Sequence, residues 1–269
     1  MEKIADFHND FLTARPFVPA GGIAARTDCA VCALYYGGRP FARLQALAEN
    51  FAAARPQNLF LGLEDVGYLA AEPVSAVLAW KPVYASLTWN GDNALAGGCY
   101  GCGRLTARGE AVVRALAAGG VAVDCAHLGP ASFCDVLDCG VSVVDSHTCL
   151  SAVHPHPRNL ADWQAGEIVA RGGLIGIAFV GDFLCAGNAA AADVFRHLDH
   201  GVQKFGPRHF CIGSDFYGTQ DVPAGLRGYG DLSALRACME RAGYPPESIA
   251  AILHGNLRRF LFEREKKVP

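Results

Sequence analysis

A chain of 269 residues that is 51% hydrophobic and only 18% charged can bury one large core and is too apolar to remain disordered. Its net charge of −3 and pI near 6.3 exclude nucleic acid or an anionic membrane as a partner held by bulk charge. No 18-residue apolar run occurs, so no membrane-spanning helix is expected. Met1-Glu2-Lys3-Ile4 lacks the basic and then apolar pattern of a signal segment, which makes the cytoplasm the expected location.

In chain order, short apolar runs predict strands at 3–7, 29–36, 59–63, 83–87, 121–125, 141–144, 174–179 and 210–213. Several are almost wholly apolar, as parallel strands covered on both faces must be. Between them, apolar residues at three- and four-residue spacing predict helices over 43–54, 106–118, 159–171 and 189–205. Thr106 and Asp231 stand as helix N-caps, and Gly119-Gly120 and Gly172-Gly173 as helix stops. The segment 65–80 is interrupted by Pro73, and the charged end 263–267 reads as a frayed terminal helix. Eight strands alternating with helical segments predict a single α/β domain over 1–269, a (β/α)8 TIM barrel.

Eleven cysteines scattered through apolar segments read as reduced, buried thiols without disulfides. Cys29 and Cys32 fall on one strand, where residues three apart face opposite sides and cannot share a metal. Cys99 and Cys102 sit in a Gly-rich loop without a matching pair.

Active sites of such barrels lie at the C-terminal ends of the strands. There the chain places His8-Asn9-Asp10, Glu64, His127, His147 and Asp215. An extended backbone turns His8 and Asp10 the same way, so both can reach one cation. Each residue also has a plain structural reading, since a lone His is commonly a surface or hydrogen-bonded residue and an Asp often caps a turn. In matching positions of successive units they point instead to a metal centre. The set suits two cations bridged by Glu64, with His8 and Asp10 on one and His127 and His147 on the other. Mixed His and carboxylate ligands fit zinc, and also manganese, cobalt or iron. Two such cations would lower the pKa of a shared water from about 16 to roughly 7, with Asp215 as proton shuttle.

These residues lie in motifs that resemble the membrane (renal) dipeptidase family of metal-dependent amidohydrolases. The resemblance runs from Asp6-Phe7-His8-Asn9-Asp10 through Gly62-Leu63-Glu64 and Leu105-Thr106-Ala107-Arg108-Gly109 to Val123-Asp124-Cys125-Ala126-His127. It continues with Ser146-His147, His156-Pro157-Arg158-Asn159-Leu160, Gly172-Gly173-Leu174-Ile175-Gly176, Ile212-Gly213-Ser214-Asp215-Phe216 and Gly255-Asn256-Leu257-Arg258-Arg259-Phe260. It implies a barrel with two zinc ions that hydrolyses dipeptides, often with a D-residue second. His8, Asp10, Glu64, His127 and His147 match the metal ligands, Asp215 the acid/base, and Arg158 the holder of the substrate carboxylate. It also allows a homodimer.

The chain departs from the family at Leu87-Thr88-Trp89-Asn90-Gly91, where a substrate-contacting His is usual and Trp89 stands instead. Trp89 and Asn90 are therefore placed on the substrate side, and Trp89 either donates its indole N–H or serves as an apolar wall. Tyr217 replaces a second carboxylate near Asp215, and the chain is shorter than most relatives. His154 and His156 read as ordinary loop histidines, and the plainer, less favoured reading of Arg158 is an exposed loop cation. Two other functions share these residues: hydrolysis of another small amide (a cyclic amide or an N-acyl amino acid), and metal-retaining ligand binding without turnover.

Overall fold

The computed structural model describes residues 4–14 and 20–265, so Lys3 and Lys266-Lys267 lie outside the described residues. Eight strands follow one another in parallel around a closed barrel: β1 (Ala5–Asn9), β2 (Cys29–Tyr35), β3 (Leu59–Glu64), β4 (Tyr84–Ser86), β5 (Ala122–Asp124), β6 (Val143–Thr148), β7 (Ile175–Ile177) and β8 (Phe210–Ile212). The fold is the expected (β/α)8 barrel, and each strand overlaps its expected run. β6 departs most, continuing to Thr148 through Asp145-Ser146-His147. Ser146 stays buried there because Asp124 on the neighbouring strand accepts its N–H and hydroxyl, and His147 because Ser146 meets its Nδ1, partners that hydropathy does not register.

The helices are α1 (Ala20–Ala24), α2 (Phe41–Ala54), α3 (Val74–Leu78), α4 (Ala107–Ala118) and α5 (Pro130–Asp138), then α6 (Asp162–Ala170), α7 (Gly181–Leu184), α8 (Ala191–Phe205), α9 (Ser233–Arg241), α10 (Pro246–Ala250) and α11 (Asn256–Glu265). α2 buries Leu44, Ala48 and Phe51, one stripe at helical spacing, and stops at Arg55 because Pro56 disfavours a helical residue before it. Thr106 caps α4, its hydroxyl accepting from the Gly109 N–H at 3.0 Å. Asp231 does not cap α9. Its carboxylate is taken by the Arg227 N–H at 2.8 Å in the preceding turn, and α9 starts at Ser233. α6 begins at Asp162 rather than at Asn159, whose amide is committed to the carbonyls of His154 and Phe183. α5, with Pro130 opening its first turn, carries no prior expectation. After Pro73 only the short α3 forms.

Apolar side chains fill two layers. One lies between strands and helices; the other fills the barrel with Ala5, Phe7, Val31, Tyr84, Val144 and Cys211. α11 closes the N-terminal end of the barrel, where Leu257 and Leu261 join this inner cluster and Phe260 meets Phe7 edge-on at 5.4 Å. Cys29 belongs to the inner layer and Cys32 to the outer one, on opposite faces of β2, and all eleven cysteines are free thiols. The closed end gives the barrel a rigid floor, leaving the C-terminal mouth as the accessible face.

His197 on α8, fully buried, stitches the outer layer together. Its Nδ1 accepts from the Leu150 N–H at 3.0 Å, and its Nε2–H donates to the Leu184 carbonyl at 2.9 Å. Burial pulls its pKa down to about 4. A folded-state value below the unfolded one near 6.5 means that stability is fully present above pH 6.5 and lost as the pH falls towards 4. The wild type should therefore lose about 2 kcal/mol through this residue between pH 7 and pH 5. Denaturant unfolding of His197→Gln at the two pH values should show a loss smaller by that amount. An equal loss in both proteins would deny His197 this role.

Candidate metal centre

Two strands are re-aimed where the site begins. Between Asp6 and Asn9, β1 holds one residue more than its partner β2, and β6 does the same against β7 between Asp145 and Thr148. Such β-bulges twist a strand locally and redirect its side chains. His8 sits in the first and His147 in the second, with ring centroids 3.7 Å apart. Glu64 ends β3, and His127 and Asp215 follow β5 and β8 in left-handed backbone, at φ +69° and +59°. Such conformations in non-glycine residues cost energy and persist where the surroundings hold them.

Glu64 is the centre of the arrangement. Its Oε2 lies 3.6 Å from His8 Nε2, while its Oε1 lies 3.0 Å from His127 Nε2 and 3.9 Å from His147 Nε2. His8 Nε2 is also 3.4 Å from Asp10 Oδ2 and 3.8 Å from Asp215 Oδ1. His8, Glu64 and His147 form one group that could hold a metal ion; His8, Asp10 and Asp215 form a second. No cysteine belongs to either, so the two Cys-x-x-Cys pairs have no part in this centre.

Hydrogen bonds turn the imidazole Nε2 atoms inward. Asn90 Oδ1 accepts from His127 Nδ1 at 2.8 Å. The Ser146 hydroxyl donates to Asp124 Oδ2 at 2.6 Å, which leaves its oxygen to accept from His147 Nδ1 at 2.8 Å. His8 Nδ1 faces the Tyr84 hydroxyl at 2.9 Å. Tyr84 reaches across the barrel only because residue 62 is glycine: a Cβ there would stand 2.4 Å from its ring. Such partners fix the tautomer and orientation of metal-binding histidines. Asp6 likewise holds the residue before Asp215, accepting from the Ser214 N–H at 2.8 Å and its hydroxyl at 2.7 Å.

The electrostatics favour a cation. Burial, and then Asp10, push Glu64 well above the usual carboxylate range and Asp215 up to about 8. Burial pulls His8 down, but Asp10, Glu64 and Asp215 outweigh it and raise it to about 10. Burial, with Arg158 and neighbouring histidines, holds His127 and His147 well below the ordinary histidine value. Neutral imidazoles beside crowded carboxylates are the donor set a divalent ion requires. His8 Nε2 and Asp10 Oδ1 are buried without a hydrogen-bond partner among the described residues, so the residues present fit such an ion.

Above the cluster a cavity of about 280 Å³ is lined by Asp10, Tyr35, Arg39, Glu64, Trp89, Asn90, His127, Phe183, Asp215 and Tyr217. Trp89 is 45% exposed and leans between Tyr35 and His127, at centroid distances of 5.9 and 6.1 Å. Its place is that of an aromatic wall. Arg158 is no surface cation. It is only 4% exposed, donates to the His147 carbonyl at 2.9 Å, lies over Phe183, and has Nε buried and unpartnered. His156 packs on Phe183 and takes the Arg158 N–H, and neither it nor His154 belongs to a metal-capable group. The sequence reading did not single out Tyr84, Ser146, Asp124 or Asp6. The available signal was a carboxylate or hydroxyl inside an otherwise apolar strand, which is costly unless bonded.

The barrel superposes on a metallopeptidase, dipeptidase AC, with a TM-score of 0.85 at 20% identity over 96% of this chain and 97% of that one. A metallopeptidase from Rhodobacter sphaeroides, solved with a phosphinate mimic of L-Ala-D-Ala, gives 0.81 at 20% identity over 97% and 99%. The fold is thus one shared with metallopeptidase barrels. Dipeptidase tcpJ of Claviceps purpurea is 29% identical over 165 residues, 60% of this chain and 39% of that protein. An uncharacterized Klebsiella pneumoniae protein from the pqqA 5' region is 30% identical over 163 residues, 58% and 60% of the two chains. The chain spans less than two thirds of either of these curated relatives. The model of the membrane dipeptidase family, peptidase family M19, matches residues 74–267, and the chain belongs to that family. The matched span includes His127, His147, Arg158 and Asp215, and follows His8, Asp10 and Glu64.

Outer hydrogen-bond partners of metal ligands are commonly worth 10- to 100-fold in metal affinity. Tyr84→Phe and Ser146→Ala should each weaken zinc binding by about tenfold or more in chelator-competition titrations. Unchanged affinity in both would leave these hydroxyls with a packing role only.

Proposed function

We propose that this chain is a dinuclear zinc dipeptidase, and that it hydrolyses the peptide bond of L-Xaa-L-Xaa or L-Xaa-D-Xaa dipeptides. The observation that carries this reading is the two-sided environment of Glu64, one oxygen turned to His8 and the other to His127 and His147. In it His8 and Asp10 would hold one ion, His127 and His147 the other, and Glu64 would bridge them. Bound there, zinc supplies Lewis acidity towards the scissile carbonyl and acidifies water at neutral pH.

The chain's own residues account for the rest. Asp215, on the cavity wall, takes the proton of the attacking water and returns it to the leaving amine. Arg158 is held by the His147 carbonyl and Phe183, so its fork is set before substrate arrives. A planar, permanently charged group of this kind suits the terminal carboxylate. Asn90 keeps His127 in one tautomer, and beside it Trp89 lends the pocket a half-exposed aromatic wall. A second reading, hydrolysis of a cyclic amide or N-acyl amino acid, draws on Trp89, because an indole in that wall favours a flatter or acylated amine end.

Protein of assayed zinc content should hydrolyse members of a dipeptide library. Asp215→Asn should lower kcat by about 10²- to 10⁴-fold, the range of general acid–base contributions. If zinc-loaded wild type turns over no dipeptide and Trp89→His does, the second reading replaces the first. Amidation of the C-terminal carboxylate should raise KM at least tenfold for wild type and much less for Arg158→Met, because the loss is that of one charged pair. Equal sensitivity in the two proteins would remove Arg158 from substrate binding.

A further inference from the structure

One cation on the cavity wall has no part in the reading above. Arg39 follows β2, whereas Arg158 follows β6. In an eight-stranded barrel closed in chain order these strands stand on opposite sides of the mouth, with the Glu64 cluster between them.

The place of Arg39 is built. Its Nη1 donates to the Tyr35 carbonyl at 3.0 Å and the Tyr36 carbonyl at 3.2 Å, and its guanidinium lies 5.7 Å from the Tyr35 ring centroid. Gly37 is what permits this fold-back. It adopts φ +48°, and a Cβ on it would stand 2.7 Å from Nη1 and 2.8 Å from the Tyr35 ring. Among the described residues no carboxylate forms an ion pair with Arg39. A guanidinium tied by one nitrogen keeps its remaining N–H edge for a ligand, and a fork of that shape matches a carboxylate.

We infer that Arg39, standing over the Tyr35 ring and sharing the cavity wall with Trp89, selects dipeptides whose first residue carries an acidic side chain. This rests on the dipeptidase reading, in which the terminal carboxylate goes to Arg158 and the scissile bond lies over Glu64. The first residue then points to the β2 side of the mouth. Its methylenes pack on Tyr35 and Trp89, and its carboxylate meets the free edge of Arg39. The metal cluster is itself rich in carboxylates, so an acidic side chain is tolerated only where a cation is fixed beside it. A neutral isostere would leave Arg39 with no new partner.

The test measures binding rather than turnover. Zinc-loaded protein is titrated calorimetrically with two phosphinate dipeptide mimics that differ only in a Glu or a Gln side chain on the first residue. The wild type should bind the Glu mimic about tenfold more tightly, as expected for one charge-assisted pair. The preference should shrink to within about twofold in Arg39→Gln, persist in part in Arg39→Lys, and shrink in Gly37→Ala, where the fold-back is obstructed. The ratio is taken within each protein, so general damage from a substitution cancels. Tight binding of both mimics without a preference, or a preference that survives in Arg39→Gln, overturns this inference and leaves the dipeptidase reading standing. Failure of wild type to bind either mimic overturns both readings.

Discussion

Everything at the mouth of this barrel is organised by the burial of Glu64 among other carboxylates. A carboxylate taken out of water costs several kcal/mol unless charge or hydrogen bonds replace its hydration. Asp10 and Asp215 add their own repulsion, and the positive charges of His8 and Arg158 offset only part of it, because neutral His127 and His147 turn bare Nε2 lone pairs towards it. Such a cluster has a use where positive charge is to be bound, and a divalent ion reverses its local electrostatics. The inward Nε2 atoms, the bulges in β1 and β6, and the hydroxyls of Tyr84 and Ser146 all keep that geometry from relaxing.

The strain is spread over the rim and resisted by the floor. Asp65, His127, Asp215 and Tyr217 all follow strand ends with positive φ, each costing about 1 kcal/mol or more. At the opposite end α11 packs into the inner core through Leu257, Leu261 and Phe260. A barrel sealed by apolar packing at one end can hold strained polar residues at the other, because the strands transmit the rigidity of a close-packed interior. The same division explains why the polar residues of β6 stay extended: Asp124 on the neighbouring strand takes the Ser146 N–H and hydroxyl.

In the proposed dipeptidase reading, specificity follows from which side of the mouth each group occupies. Arg158 is fixed over Phe183 after β6; Tyr35, Arg39 and Trp89 form the wall on the β2 and β4 side. A cavity of about 280 Å³, walled by Tyr35, Arg39 and Trp89 and by Phe183, suits a small ligand. Rigid aromatic and guanidinium surfaces lose little conformational entropy on binding, so discrimination there comes from shape and charge rather than from loop closure. A shared fold can accept different molecules when only the residues around its mouth change.

The alternation of apolar runs was enough to predict the barrel, because parallel strands covered on both faces must be apolar and helices between them must show one buried stripe. The strand ends likewise offered His8, Asp10, Glu64, His127, His147 and Asp215, which the structure brings together; singly each has a plain structural reading, and the signal was their recurrence at matching positions of successive units. Spacing could not reveal how the strands depart from regularity. The bulges that turn His8 and His147 inward depend on pairing with β2 and β7, and the reach of Tyr84 to His8 depends on the missing side chain at Gly62. Nor could it separate a buried Arg158 from an exposed loop cation, or show that Asp231 belongs to a turn and not to α9. Local sequence determined which residues sit at each strand end, because that is a matter of hydropathy along the chain. Tertiary structure decided which atoms of different strands face one another, because those hydrogen-bond partners and close approaches come from residues 20 to 208 positions apart.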